Sequence, residues 1–238
     1  MKTASQCQLI LVLDLESEEQ VFALLDRVGT SVKWVKVGLQ LFLRYGPDLV
    51  HRISEKGYQV FLDLKLHDIP NTVASAIQNL KGLPVGMLTL HAAGGQQMME
   101  WAKGAQAEAL PNTVLLAVTV LTSMDQHSLN AIGCAATAEE QVIRLGKLAI
   151  TSGLEGLVCS PEELRVLRRE LGDAPTLVTP GIRPQGAAQD DQKRTLTPAE
   201  AAIAGSSFIV VGRPILKAKD PLQATQALLG ELNASHHA

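Results

Sequence analysis

Apolar residues recur along the chain in eight short runs: LILVLDL (9–15), WVKVG (34–38), YQVFLDL (58–64), GMLTLH (86–91), VLLAVTVL (114–121), EGLVCS (155–160), TLVTPG (176–181) and FIVVGR (208–213). Each is rich in aliphatic and β-branched residues and bounded by turn formers, so each predicts a strand. The segments between them carry helix-start signals. Ser17 with Gln20, Thr137 with Glu140 and Ser160 with Glu163 have capping-box spacing, and Thr197-Pro198 and Asp220-Pro221 set proline at a first helical position. Strand and helix therefore alternate to the end. Several runs are apolar on both faces, as strands of a buried parallel sheet must be. Eight βα units in 238 residues predict an α/β chain folded as a (β/α)8 barrel, a TIM barrel. No linker, low-complexity tract or charge block divides residues 1–238, so they read as a single domain. The outlier is 181–197, GIRPQGAAQDDQKRTLT, too long and polar for an ordinary strand–helix connection and of the kind that forms lids or stays disordered.

The third run breaks the apolar rule. In FLDLKLHDIP (61–70), alternation sends Leu62, Leu64 and Leu66 to one face and Phe61, Asp63 and Lys65 to the other. The leucines suit the helix layer, which leaves the charges facing the C-terminal mouth of the barrel, where active sites of this architecture sit. Asp68 falls just past the strand, before Pro70 opens a helix. Asp14 shares a face with Ile10 and Val12 in the first run, and Lys36 shares one with Trp34 in the second. Three neighbouring strands thus end in alternating carboxylate and ammonium. A salt-bridge network that closes the mouth is the structural reading, yet buried charges are costly unless paired, so stability alone explains the pattern poorly. Charge clusters in a cleft favour function.

The last two runs end in glycine plus arginine, TPGIR (179–183) and VVGRPI (210–215). Barrel phosphate sites are commonly built from the loops after strands seven and eight, where glycine lets backbone N–H groups approach an anion. Arg183 and Arg213 add two-pronged donors, which makes a phosphorylated small molecule the natural ligand. Thr122 and Ser123, after the fifth run, have hydroxyls suited to a ligand ring or to a turn. His91 ends the fourth run, where either ligand contact or a hydrogen-bonded structural role is open to it, and alternation turns His67 away from Lys65.

Composition narrows the classes. Net charge is −3, and no Lys/Arg cluster is interleaved with aromatics, which gives nucleic-acid binding little support. Apolar residues make up 46% of the chain, but no run approaches the roughly 20 residues that span a bilayer. The first apolar block is interrupted by Asp14 and Glu16 and reads as a strand rather than a leader. Cys7, Cys134 and Cys159 are odd in number and lack a CxxC pair, which argues against a disulfide framework and a zinc site and fits a reducing cytoplasm. The histidines show no metal-ligand spacing.

FLDLKLHDIPNT (61–72), VKVG (35–38), HAAGG (91–95), TPGIRPQG and DQKRTLTPAEA within 179–201, and IVVGRPI (209–215) together resemble the bacterial type of orotidine 5'-monophosphate decarboxylase. The resemblance runs from the first strand to the last helix. It implies a cofactor-free, cytoplasmic lyase that converts orotidine 5'-monophosphate to uridine 5'-monophosphate and CO2 in de novo pyrimidine biosynthesis. It also implies that Lys65 stabilises and protonates the C6 carbanion, flanked by Asp63 and Asp68, with Asp68 reaching the neighbouring subunit's site in a homodimer. By the same resemblance Asp14 and Lys36 bind ribose hydroxyls and Thr122 lies by the pyrimidine. Gln192, Gly212 and Arg213 grip the phosphate with Arg183 nearby, and Ile69 and Thr72 belong to the substrate-binding set. Two rival readings remain. Metal-dependent phosphosugar decarboxylases and aldolases resemble the chain at Asp63-x-Lys65-x-x-Asp68, but they place a metal-binding Glu where Lys36 stands. A catalytically silent nucleotide-phosphate-binding barrel would keep the same grip without turnover.

Overall fold

Alternate residues of the first strand, β1 (Gln8–Val12), go to two different layers in the computed structural model of the chain, which describes residues 7–184 and 195–234. Ile10 and Val12 join an inner cluster with Phe61, Met87, Leu116, Val178 and Val210, while Leu9 and Leu11 pack outward against helices. The other strands repeat this division: β2 (Trp34–Gly38), β3 (Gln59–Leu66), β4 (Val85–His91), β5 (Val114–Val118), β6 (Gly156–Val158), β7 (Thr176–Thr179) and β8 (Phe208–Val211). All eight pair in parallel with their sequence neighbours, and β8 closes on β1. The predicted (β/α)8 barrel is the fold observed.

The barrel has a closed end and an open one. Trp34 and Phe208, the first residues of their strands, meet edge to face at 5.5 Å and fill the N-terminal end. Gly86 makes room for Trp34, since a Cβ there would stand 2.6 Å from its ring. The larger cluster lies between sheet and helices. Leu11, Leu62 and Leu88 within it have no exposed surface, and each such burial contributes roughly 1.5–3 kcal/mol.

Helices begin where the local signals stand. Thr137 and Thr197 each accept the N–H of the glutamate three residues on, and each glutamate returns the bond, which gives complete capping boxes to Ala138–Thr151 and Pro198–Ile203. At Ser17 the box is partial: its Oγ accepts from Gln20 N–H at 3.4 Å, but the Gln20 side chain accepts from Glu16 N–H. The β5 exit carries a short helix, Gln126–Ala131, in addition to the expected one, and Asp125 caps it. The long segment after β7 is tied at its described edges, where Ile182 bridges Leu196 and Arg183 N–H donates to Leu196 O at 3.0 Å.

Candidate active site

The C-terminal end of β3 departs from a regular strand. Leu62 pairs with Leu88 and Leu66 with Leu90, so β3 spends four residues where β4 spends two. Such a bulge bends the strand and re-aims its side chains. At Lys65 the backbone has φ +50°, and among the described residues no other non-glycine has positive φ. A conformation of this kind costs on the order of 1–3 kcal/mol and persists only where its surroundings impose it.

Those surroundings are electrostatic. Lys65 Nζ lies 2.7 Å from both oxygens of Asp63. Lys36 Nζ stands 3.4 Å from Asp63 and 3.4 Å from Asp14, so Asp14, Lys36, Asp63 and Lys65 form an alternating chain across the ends of β1, β2 and β3. Side-chain exposure falls from 52% at Asp14 to 13% at Lys36 and 10% at Asp63, then rises to 32% at Lys65. The chain therefore dips into the barrel and re-emerges with an ammonium facing the mouth. Burial pushes the Asp63 carboxyl up, but the charges of Lys36 and Lys65, with hydrogen bonds from Lys65 and Thr89, outweigh it and hold the group below the usual carboxylate range.

Two adjoining cavities open at this end. One, of about 160 Å³, has Lys36, Asp63, Lys65 and Thr122 on its polar side and Phe61, Val118, Val158 and Val210 on its apolar side. The other, of about 440 Å³, is lined by Asp14, Gly212, Arg183 and Arg213 among others. Lys36, Pro180 and Val210 border both, so the two are neighbours across one wall. The first matches a flat ring with a polar edge. The second has the cationic side chains and close backbone that an anion requires.

Asp14, Lys36, Asp63, Lys65, Thr122, Arg183, Gly212 and Arg213 are thus brought together. Asp68, Ile69 and Thr72 are exposed and line neither cavity; the Asp68 carboxylate accepts its neighbour's Ile69 N–H at 2.6 Å. Ser123 is exposed too. Gln192, like most of the long polar segment, lies outside the described residues. His91 is half-buried with its ring 5.2 Å from that of His67, and burial first, then His67 and Lys65, holds its imidazole below the ordinary value. Cys7 and Cys159 are buried, and burial raises the Cys7 thiol to about 12, far from a reactive thiolate. Among the described residues no group of three His, Cys, Asp or Glu side chains is placed to hold a metal ion, and no helix is long and apolar enough to cross a membrane.

Sequence reading overlooked Thr89. It is fully buried, its Oγ1 donates to Asp63 Oδ1 at 2.9 Å, and it accepts the Lys65 N–H at 2.9 Å. The signal was parity: Met87, Thr89 and His91 share the inward face of β4.

A model of the "Orotidine 5'-phosphate decarboxylase / HUMPS family" matches residues 7–228. The chain is 53% identical over 228 residues to the orotidine 5'-phosphate decarboxylase of Opitutus terrae, which covers 96% of this chain and 99% of that one. Identity to the protein of the same name from Nitrosococcus oceani is 47% over 226 residues, 95% of this chain and 97% of the other. The crystal structure of orotidine 5'-phosphate decarboxylase from Lactobacillus acidophilus superposes with a TM-score of 0.85 at 42% identity, covering 95% of this chain and 99% of that one.

Proposed function

The chain belongs to the orotidine 5'-phosphate decarboxylase / HUMPS family and acts as an orotidine 5'-phosphate decarboxylase of pyrimidine biosynthesis, and we propose that Lys65 is its proton donor and that it needs no cofactor. The observation that carries the proposal is the Asp14–Lys36–Asp63–Lys65 chain, which ends with an ammonium on the wall of the smaller cavity.

When the C6 carboxylate leaves as CO2, the electron pair of the broken C–C bond stays on C6 in an sp² orbital that the pyrimidine ring delocalises poorly. A fixed cation beside that carbon stabilises the pair and then delivers a proton to it. Asp63, its carboxyl held below the usual range, grips Lys65 by both oxygens and so fixes Nζ on the cavity wall. Uridine 5'-phosphate and CO2 are the products, and Lys65 regains its proton from solvent.

A single well-aimed charge contributes about 3–4 kcal/mol, whereas enzymes lower barriers by roughly 8–23 kcal/mol. The balance is assigned to remote binding. Gly212 and Arg213, with Arg183 nearby, take the phosphate, to which the sequence resemblance adds Gln192; Asp14 and Lys36 take the ribose hydroxyls; Thr122 meets the ring. Binding energy gained at the phosphate is then expressed as alignment of C6 with Lys65.

A second copy of the chain belongs in this reading. Leu39 and Leu43, in the first turns of the helix after β2, and Ile69, next to the exposed Asp68 after β3, are exposed by 49%, 80% and 66%. Large apolar side chains left in water support a homodimer that covers them, with Asp68 offered to the partner's cavity. Cytoplasmic location is the compartment in which buried free thiols and a nucleotide substrate agree.

The deciding experiment mixes purified protein with orotidine 5'-phosphate and follows the loss of orotate absorbance, before and after exhaustive chelation. Turnover that survives chelation is expected. Binding without turnover would favour a silent barrel, and activity lost to chelation and restored by magnesium would sink the cofactor-free mechanism.

A further inference from the structure

Thr89 sits on β4 opposite the part of β3 where the register shifts, between the Leu62–Leu88 and Leu66–Leu90 pairs. Its hydroxyl makes two bonds at once, one to the Asp63 carboxylate and one from the Lys65 backbone N–H, each 2.9 Å long. The backbone N–H is a donor only, so the oxygen must accept there, and its single proton is committed to the carboxylate. Nothing about this arrangement is local to one strand: it ties a buried carboxylate, a left-handed backbone and a fully buried hydroxyl together.

We propose that Thr89 is a positioning residue for the decarboxylation, its hydroxyl holding both the Asp63 carboxylate and the kinked backbone that aims Lys65 at the substrate. The inference rests on Lys65 being the proton donor. Without the hydroxyl, the Lys65 N–H loses its acceptor where the strained φ most needs one. The carboxylate that grips the ammonium also loses its one neutral hydrogen-bond donor and is left to settle between Lys36 and Lys65 alone. Both changes move Nζ relative to the cavity while leaving the phosphate end, on β7 and β8, as it was.

Thr89→Val keeps the shape of the side chain and deletes the hydroxyl, whereas Thr89→Ser keeps the hydroxyl and deletes a methyl. A positioning role predicts that valine lowers kcat by about 100-fold, the cost typical of an ångström-scale misplacement, with KM within about threefold of native. Serine should stay within about threefold of native in both constants. A packing role predicts the opposite order, because valine preserves the packed volume and serine does not. Steady-state kinetics on the two variants beside Lys65→Ala, with thermal unfolding to verify folding, decides the matter. Valine at native kcat, or valine and serine falling together, overturns the role of Thr89. In either case an inactive Lys65→Ala leaves the assignment of Lys65 standing, whereas an active Lys65→Ala removes that assignment and this inference with it. If the valine variant does not fold, Thr89→Cys takes its place, since a thiol is a weak donor of similar size. Cysteine well below serine supports the proposal; cysteine equal to serine overturns it.

Discussion

Lys65 and Asp63 form a two-pronged ion pair on the cavity wall, with the ammonium 2.7 Å from each carboxylate oxygen. The pair is made by residues two apart on one strand face, so it is preorganised by the strand and not recruited by the substrate. Lys65→Ala removes the ammonium but leaves Asp63 with Lys36 and Thr89. The expected result is a folded protein with kcat lowered by at least about 10³-fold, the upper range for loss of one aimed charge-stabilising group. Orotate absorbance and a thermal melt measure the two halves of this prediction, and near-native kcat would refute it.

Asp63 links the site to acid stability. Its carboxyl is held below the usual range, so it stabilises the folded chain above its unfolded pKa of about 3.9 and ceases to do so as pH falls through the lower folded value. Asp63→Asn lacks that contribution at every pH. The gap in melting temperature between native protein and variant should therefore be full near pH 5 and above and shrink below about pH 4. A gap that stays constant down to about pH 3 would show that the carboxylate's charge adds nothing to folding.

Most of the barrel and half of the site are legible in the sequence because both follow a period of two. Strand parity alone separates Leu62 from Asp63 and places Asp14 and Lys36 on the same inner face. Thr89 escaped because a threonine in an apolar strand is unremarkable; only the shifted β3–β4 register sets it against Lys65. Such register lies between segments distant in sequence. Asp68 is beyond strand parity for a different reason. The chain turns after Leu66, the carboxylate accepts its own neighbour's N–H, and a place in a partner's site is a relation between chains that no period within one strand encodes.

Gly38 bears on the Asp14–Lys36 end of the charge chain. A Cβ there would stand 3.0 Å from Lys36 Nζ and 3.4 Å from Asp14 Oδ1, while the backbone, at φ −94°, would accept any residue. Gly38→Ala should therefore fold normally and shift the Lys36 ammonium by a few tenths of an ångström. About a tenfold loss in kcat/KM is expected, less than a full ångström of misplacement would cost. Kinetic constants equal to the native ones would mean that this end of the charge chain tolerates displacement.

Arg213 borders the larger cavity at the start of the short helix after β8, next to Gly212. If it grips phosphate, Arg213→Ala should lower kcat/KM for orotidine 5'-phosphate by on the order of 100-fold and leave the slow reaction of orotidine within about threefold. Equal losses on both substrates would assign Arg213 to the fold or the ring instead.

Asp68 offers a test of the second subunit. If it completes the partner's site, Lys65→Ala and Asp68→Ala homodimers are each nearly inactive, for different reasons. Unfolding and refolding them together forms mixed dimers in which one site has both mutations and the other has neither. Random pairing makes half of the dimers mixed, and half of their sites are intact, so about a quarter of native activity should return. The rise should be absent when either variant is refolded alone. No recovery, with mixed dimers verified by tagging one variant, would place Asp68 in its own subunit's site or in none.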